Sequence, residues 1–186
     1  DYTEPVDGLS VGARATNAIR LNWKANAKAE GYLIEQYKSG KWKQIAKITD
    51  KTTVTYRVTK LSASTGYEFR IRAYRTDGEE TYYSEYTSID TATTLNKVTG
   101  LAIGARSSSA IRLNWNADKS VDGYVLEQYN GSKWVQIKKL ASNTEATWKV
   151  TKLKAKTSYQ FRIRAYKTIG GKVYYSAYTT ITAKTN

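Results

Sequence analysis

Tyr67-Glu68-Phe69-Arg70-Ile71-Arg72-Ala73-Tyr74 occurs once, and 92 residues later Tyr159-Gln160-Phe161-Arg162-Ile163-Arg164-Ala165-Tyr166 repeats it. In the first copy Tyr67, Phe69, Ile71 and Ala73 alternate with Glu68, Arg70, Arg72 and Tyr74. A period of two turns successive side chains to opposite faces, so the stretch predicts a strand with one face buried and one wet. Working outward, Ile19, Leu21 and Trp23 alternate with Arg20 and Asn22 in the same way. Turn residues separate such runs: Asn26 to Gly31, Ser39-Gly40, Asp77-Gly78, Asn130-Gly131 and Gly170-Gly171. Asn-Gly accepts positive φ at both central positions, which predicts a tight hairpin at Asn130-Gly131. That turn also explains Asn130-Gly131-Ser132 better than its formal reading as a glycosylation sequon.

The repeat extends well beyond the opening stretch. Val6-Asp7-Gly8-Leu9 corresponds to Val98-Thr99-Gly100-Leu101, and Ala18 through Trp23 to Ala110 through Trp115. Gly31-Tyr32 and Glu35-Gln36-Tyr37 return as Gly123-Tyr124 and Glu127-Gln128-Tyr129, all at an offset of 92 without a gap. About half of the aligned positions are identical. This period is too long for a solenoid unit, so each copy should be a small domain with its own core. The expected domains are residues 1–94 and 95–186. The expected seam, Thr91 to Lys97, is not a flexible Gly/Ser coil, which predicts a semi-rigid, elongated pair roughly 70 Å long.

Seven strands are expected in the first copy: Ser10–Ala15, Ile19–Lys24, Tyr32–Tyr37, Trp42–Ile48, Thr53–Val58, Gly66–Tyr74 and Tyr82–Asp90. The second copy follows at the same offset. Seven short alternating strands in some ninety residues predict an all-β immunoglobulin-like Greek-key sandwich, made twice.

Composition removes several function classes. The chain has 186 residues, with 40% hydrophobic and 25% charged, which fits neither a disordered chain nor a membrane protein. No apolar run is long enough for a transmembrane helix, and no secretory h-region is visible. Cys, His and Met are absent. Disulfides, thiol and imidazole chemistry and the usual zinc ligands are therefore excluded. No catalytic, cofactor-binding or metal-binding residue is expected, and the chain is not expected to be an enzyme. Asp1 in place of an initiator Met suggests a mature fragment or a piece of a longer polypeptide.

Taken together, these residues resemble the fibronectin type III family, twice. The resemblance rests on Trp23, Gly31-Tyr32, Leu61 and Tyr67 through Tyr74, and on Trp115, Gly123-Tyr124, Leu153 and Tyr159 through Tyr166. It implies inward core tryptophans at Trp23 and Trp115 and structural tyrosine corners at Tyr67 and Tyr159, whose hydroxyls bond nearby backbone. The Tyr-Tyr-Ser-x-Tyr run and the Trp of the fourth strand resemble the bacterial, extracellular branch, found as accessory modules of secreted or surface proteins and of carbohydrate-degrading enzymes. There is no Arg-Gly-Asp, and Lys97 replaces in the second copy the Pro kept as Pro5 in the first.

Two surface features could carry a ligand. The first is aromatic: Tyr37, Trp42, Tyr74, Tyr82 and Tyr83, repeated as Tyr129, Trp134, Tyr166, Tyr174 and Tyr175, with Tyr86 and Tyr178 nearby. Tyr37 and Tyr74 should point outward beside Arg70 and Arg72; the direction of Trp42, Tyr82, Tyr83 and Tyr86 is left open. Such rings can stack on sugars or anchor a protein partner. The favoured reading is that they flank one another and cover arginine stems. Glu35 and Glu127 are likewise read as cross-strand partners of the arginines rather than catalytic carboxylates. The second feature is charge. Residues 1–94 carry 14 Lys and Arg against 12 Asp and Glu; residues 95–186 carry 16 against 4. Lys152, Lys154 and Lys156, joined by Lys138 and Lys139, form the expected basic patch, suited to acidic polymers or to solubility alone. Specific nucleic-acid recognition is not expected, because the first copy shares the fold without the charge and no groove-reading motif is visible.

The sequence therefore leads to a non-catalytic, monomeric, extracellular module, secreted or attached to the cell surface or wall. Its expected partners are other domains of a larger polypeptide. A polysaccharide held by surface Trp and Tyr, a surface protein, or an anionic wall polymer held by the second copy are the alternatives.

Overall fold

The computed structural model describes residues 4–186. Asp1 and its bearing on processing lie outside the described residues. The chain divides into two compact units, one ending at Thr93 and the next beginning at Thr94. In the first, β1 (Ser10–Arg14), β2 (Ile19–Asn22) and β5 (Thr55–Val58) form one antiparallel sheet in the order β1-β2-β5. The larger sheet is β4 (Lys41–Ile48), β3 (Gly31–Lys38), β6 (Gly66–Asp77) and β7 (Glu80–Tyr83), with β8 (Thr87–Ala92) also paired to β6. The second unit repeats this with β9 (Ala102–Arg106), β10 (Ile111–Asn114) and β13 (Thr147–Val150) in the small sheet. Its large sheet holds β11 (Gly123–Tyr129), β12 (Trp134–Leu140), β14 (Ser158–Ile169), β15 (Lys172–Tyr175) and β16 (Thr179–Lys184). The all-β sandwich pair is thus the architecture of the chain. No helix of the described structure is long and apolar enough to cross a membrane.

The alternation read from the sequence builds each core. Ile19 and Leu21, Tyr32 and Ile34, and Phe69, Ile71 and Ala73 face inward from both sheets and are fully buried. Ile111, Leu113, Tyr124, Leu126, Phe161, Ile163 and Ala165 do the same in the second unit. Each large side chain so buried stabilises by about 1.5–3 kcal/mol. Trp23 packs edge-on against Tyr32 at 5.5 Å, and Trp115 against Tyr124 at 5.6 Å. The buried Tyr32 hydroxyl accepts from Asn26 N–H and donates to the Lys51 carbonyl, so its polar end is satisfied. Tyr67 and Tyr159 accept backbone N–H bonds from Ser62 and Lys154 at 2.8 Å. The corner they brace includes Lys60, Ser64, Lys152 and Lys156, all at positive φ.

Three expectations are corrected. The last strand is not continuous from Tyr82 to Asp90 but breaks into β7 and β8. At the break the Ser84 hydroxyl accepts the Ala73 N–H and donates to the Glu85 carbonyl, while Ser84 N–H bonds the Ala73 carbonyl. The side chain thus stands in for a ladder bond, and β6, paired to both pieces, runs to Asp77 rather than Tyr74. Next, Asn130-Gly131 is not a two-residue hairpin. Gly131 alone has positive φ, and the Asn130 side chain accepts from the N–H of Ser132 and Lys133, closing a four-residue loop. The tight form occurs instead at Ser39-Gly40 and Gly170-Gly171, where both residues have positive φ. Finally, the seam is shorter than Thr91 to Lys97. Thr91 and Ala92 end β8, the Thr93 hydroxyl donates to the Ser62 carbonyl, and Leu95 is already buried in the second core.

Candidate functional site: the outer face of the large sheet

On β6 the arginines alternate away from the core, and on β3 Glu35 stands directly opposite Arg70. The Arg70 Nε–H donates to Glu35 Oε2 at 2.5 Å, and Arg162 pairs with Glu127 in the same way. Both pairs are largely shielded from water. Rings then fill the spaces between the guanidinium groups. Arg70 lies 4.4 Å from the Trp42 ring and 3.7 Å from that of Tyr86. Arg72 lies 4.6 Å from Tyr86 and 3.9 Å from Tyr83. The result is a ladder, Trp42–Arg70–Tyr86–Arg72–Tyr83, with Tyr37 packed edge-on against Trp42 at 5.3 Å. The second unit builds the same ladder from Trp134, Arg162, Tyr178, Arg164 and Tyr175, at 3.7–4.8 Å. Tyr129 packs against Trp134 at its end.

This geometry resolves the directions left open by the sequence. Trp42, Tyr83 and Tyr86 point outward, and each gives a ring face to an arginine. Tyr82 and Tyr174 turn away from the ladder: Tyr82 donates to Glu80 at 2.6 Å, and Tyr174 packs against the second core. Tyr74 and Tyr166 are on the outer side, as expected, but they are buried at 6% and 7% exposure, which withdraws them from an open ligand face. The cause is the glycine opposite each. Tyr74 lies over Gly31 and Tyr166 over Gly123, where a Cβ would strike both the ring and the backbone carbonyl of Ile48 or Leu140. Lys47 and Lys139 also lie over these rings, at 5.0 and 4.6 Å. Tyr37, Tyr83 and Tyr175 remain exposed at 42–47%.

The electrostatics follow the packing. Burial, then the hydrogen bond to Glu35, pushes the Tyr86 hydroxyl above its ordinary pKa, with Arg72 and Arg70 pulling the other way. Tyr178 is raised for the same reasons against Glu127. The sequence places Tyr86 and Tyr178 only as neighbours; their central position depends on the Ser84 break, which periodicity does not show. Among the described residues no group of three or more His, Cys, Asp or Glu could hold a metal ion.

The basic patch is divided. Lys152, Lys154 and Lys156 stay together at the corner preceding β14. Lys138 and Lys139 stand opposite Leu126 and Val125, and so level with Ile163 and Arg164 on the far side of β11, about 15–20 Å along the strand direction from the corner. Lys138 is spent on the Trp148 ring at 4.5 Å and Lys139 on Tyr166. The pairing register, running β12 antiparallel to β11, separates lysines that the linear sequence groups together.

The profile of the fibronectin type III domain matches this sequence twice, over residues 4–90 and 96–182. The chain belongs to the fibronectin type III family. A two-fibronectin-type-III-domain segment from chicken tenascin shares the fold, with a TM-score of 0.63 at 20% identity, covering 97% of this chain and 99% of that one. Exoglucanase B of Cellulomonas fimi is 27% identical over 194 residues, covering all of this chain and 17% of its own length. Chitinase A1 of Niallia circulans is 29% identical over 176 residues, covering 89% of this chain and 24% of its own. This fibronectin type III pair therefore spans less than a quarter of each of these relatives, and its likeness to them fits the bacterial extracellular type.

Proposed function

We propose that the tandem is a non-catalytic spacer and interaction module of a larger extracellular bacterial polypeptide, a carbohydrate-active enzyme being the parent suggested by the relatives. The observation that carries this reading is the ladder. In both units Trp42 and Trp134, Tyr83 and Tyr175, and Tyr86 and Tyr178 give ring faces to the chain's own arginines, so that part of the aromatic surface has a structural employment. The small share of the exoglucanase and chitinase that the chain spans supports the same reading. A second reading, attachment of the second unit to an anionic wall polymer, is favoured by its 16 Lys and Arg against 4 Asp and Glu.

Salt separates these. Sedimentation of the tandem with insoluble cellulose, chitin and cell-wall sacculi, at low and high salt, should leave it in the supernatant on the neutral glycans throughout. Retention on sacculi at low salt alone would support charge attachment, since exposed charges separated by more than a Debye length are screened. Retention on a neutral glycan at high salt, abolished by Trp42→Ala with Trp134→Ala, would replace the spacer reading with carbohydrate binding.

A further inference from the structure

The outer face of the small sheet carries a feature that the net charge of the units hides. In the first unit a shallow concavity is lined by Ala13, Arg14, Ala15, Ala18, Arg20 and Arg57. In the second, Ala105, Arg106, Ser107, Ala110, Arg112 and Lys149 line another. The two sets are the same six positions, offset by 92. Each therefore gathers three cations over a floor of small side chains.

The arrangement is costly by itself. Arg20 stands directly opposite Arg57, and Arg112 directly opposite Lys149. Like charges facing one another across a sheet destabilise it. No strand of either small sheet contains Asp or Glu. None of the ion pairs among the described residues engages Arg20, Arg57, Arg106, Arg112 or Lys149. About half of the positions differ between the copies, yet the charge survives where Arg57 becomes Lys149. Two of the arms are held in place: Arg112 Nη1 donates to Thr147 Oγ1 at 3.3 Å, and Arg106 Nη1 to the Lys184 carbonyl at 3.2 Å. A guanidinium has five N–H donors, so each keeps others for an incoming oxygen. The alanine floor leaves room for a tetrahedral oxyanion to reach the planar forks.

We infer that each small sheet carries an oxyanion site for the phosphate or sulfate groups of a linear polyanion. Such a site differs from attachment through the basic second unit, because the first unit has one as well, although its total charge is nearly balanced. A bound anion neutralises the facing cations and so relieves the repulsion built into both sheets.

The test is titration of the tandem with inorganic polyphosphate and, separately, dextran sulfate, followed by calorimetry and backbone amide shifts. Two charge-matched variants are compared, Arg20→Gln with Arg112→Gln, and Lys60→Gln with Lys152→Gln, each losing one cation per unit. The arginine pair should weaken binding about tenfold or more and the lysine pair less than about twofold, since charge-assisted hydrogen bonds are lost only in the first. Folding is checked by the thermal midpoint, which should hold or rise in the arginine pair as a like-charge contact is removed. Binding of polyphosphate alone, of dextran sulfate alone, or of both identifies the source of the oxyanion and supports the site. Equal loss in the two variants would reduce the effect to net charge and overturn it. Failure of both polyanions to bind, or shifts confined to Lys152, Lys154 and Lys156, would overturn it too.

Discussion

Tyr86 is the side chain on which the first ladder turns, because both Arg70 and Arg72 lean on its ring and its hydroxyl reaches Glu35. Tyr86→Ala should cost about 2–4 kcal/mol in urea unfolding, through lost packing and two cation–π contacts. Tyr86→Phe keeps the ring and should cost only about 1 kcal/mol, the value of one hydrogen bond. Equal losses would mean that the hydroxyl, not the ring, holds the arginines. The raised tyrosines also fix the alkaline limit. Tyr74, Tyr86, Tyr124 and Tyr178 all sit above their ordinary value of 10.0, chiefly through burial. The unfolded chain ionises first, so the stability they contribute is complete below pH 10 and is lost as pH rises through the folded values. Urea midpoints measured on either side of pH 10 should fall on the alkaline side, and Tyr86→Phe with Tyr178→Phe should blunt that fall. At this scale the sequence is a good guide where alternation alone decides the outcome: Glu35 with Arg70, and Phe69 inward. It is a poor guide to Tyr74, because nothing along the chain announces that Gly31, forty-three positions earlier, leaves the space into which that ring sinks.

Elements are legible to within a residue or two where turn residues bound the apolar run, as in β3, β4 and the start of β6, even though the register of β3 against β4 shifts at Ile45. The break between β7 and β8 is not, because one serine hydroxyl replaces a ladder bond without disturbing the hydropathy pattern. Ser84→Ala leaves the buried Ala73 N–H without that acceptor and should cost about 1–3 kcal/mol. Amide exchange at Ala73 should quicken by a matching factor; unchanged exchange would show that β7 and β8 can join into one strand, as the sequence pattern implies. Gly31→Ala should do more damage than an ordinary strand substitution, since the new Cβ meets the Ile48 carbonyl and the Tyr74 ring. An expected loss above about 3 kcal/mol sets it among the overpacking mutations. The twin substitution Gly123→Ala should match it, as the same two contacts recur with Leu140 and Tyr166.

Over the whole chain, the offset of 92 makes the duplication plain from the residues alone, and the charge imbalance between the copies comes with it. The second unit carries its excess on a sandwich like that of the first, so self-repulsion should cost it stability that salt restores. Hydrogen exchange of the intact tandem at low and high salt should show protection rising in residues 95–186 and scarcely changing in 1–94. Uniform change would mean that the charge is neutralised locally and not summed over the unit. The division of labour between aromatic face and function is the larger question. Its most direct test is a titration of the tandem with soluble cello- and chito-oligosaccharides at high salt, following the indole N–H signals of Trp42 and Trp134. A face occupied by its own arginines predicts signals that stay in place up to millimolar sugar. Saturable shifts of both indoles would show an open sugar platform and contradict the spacer reading.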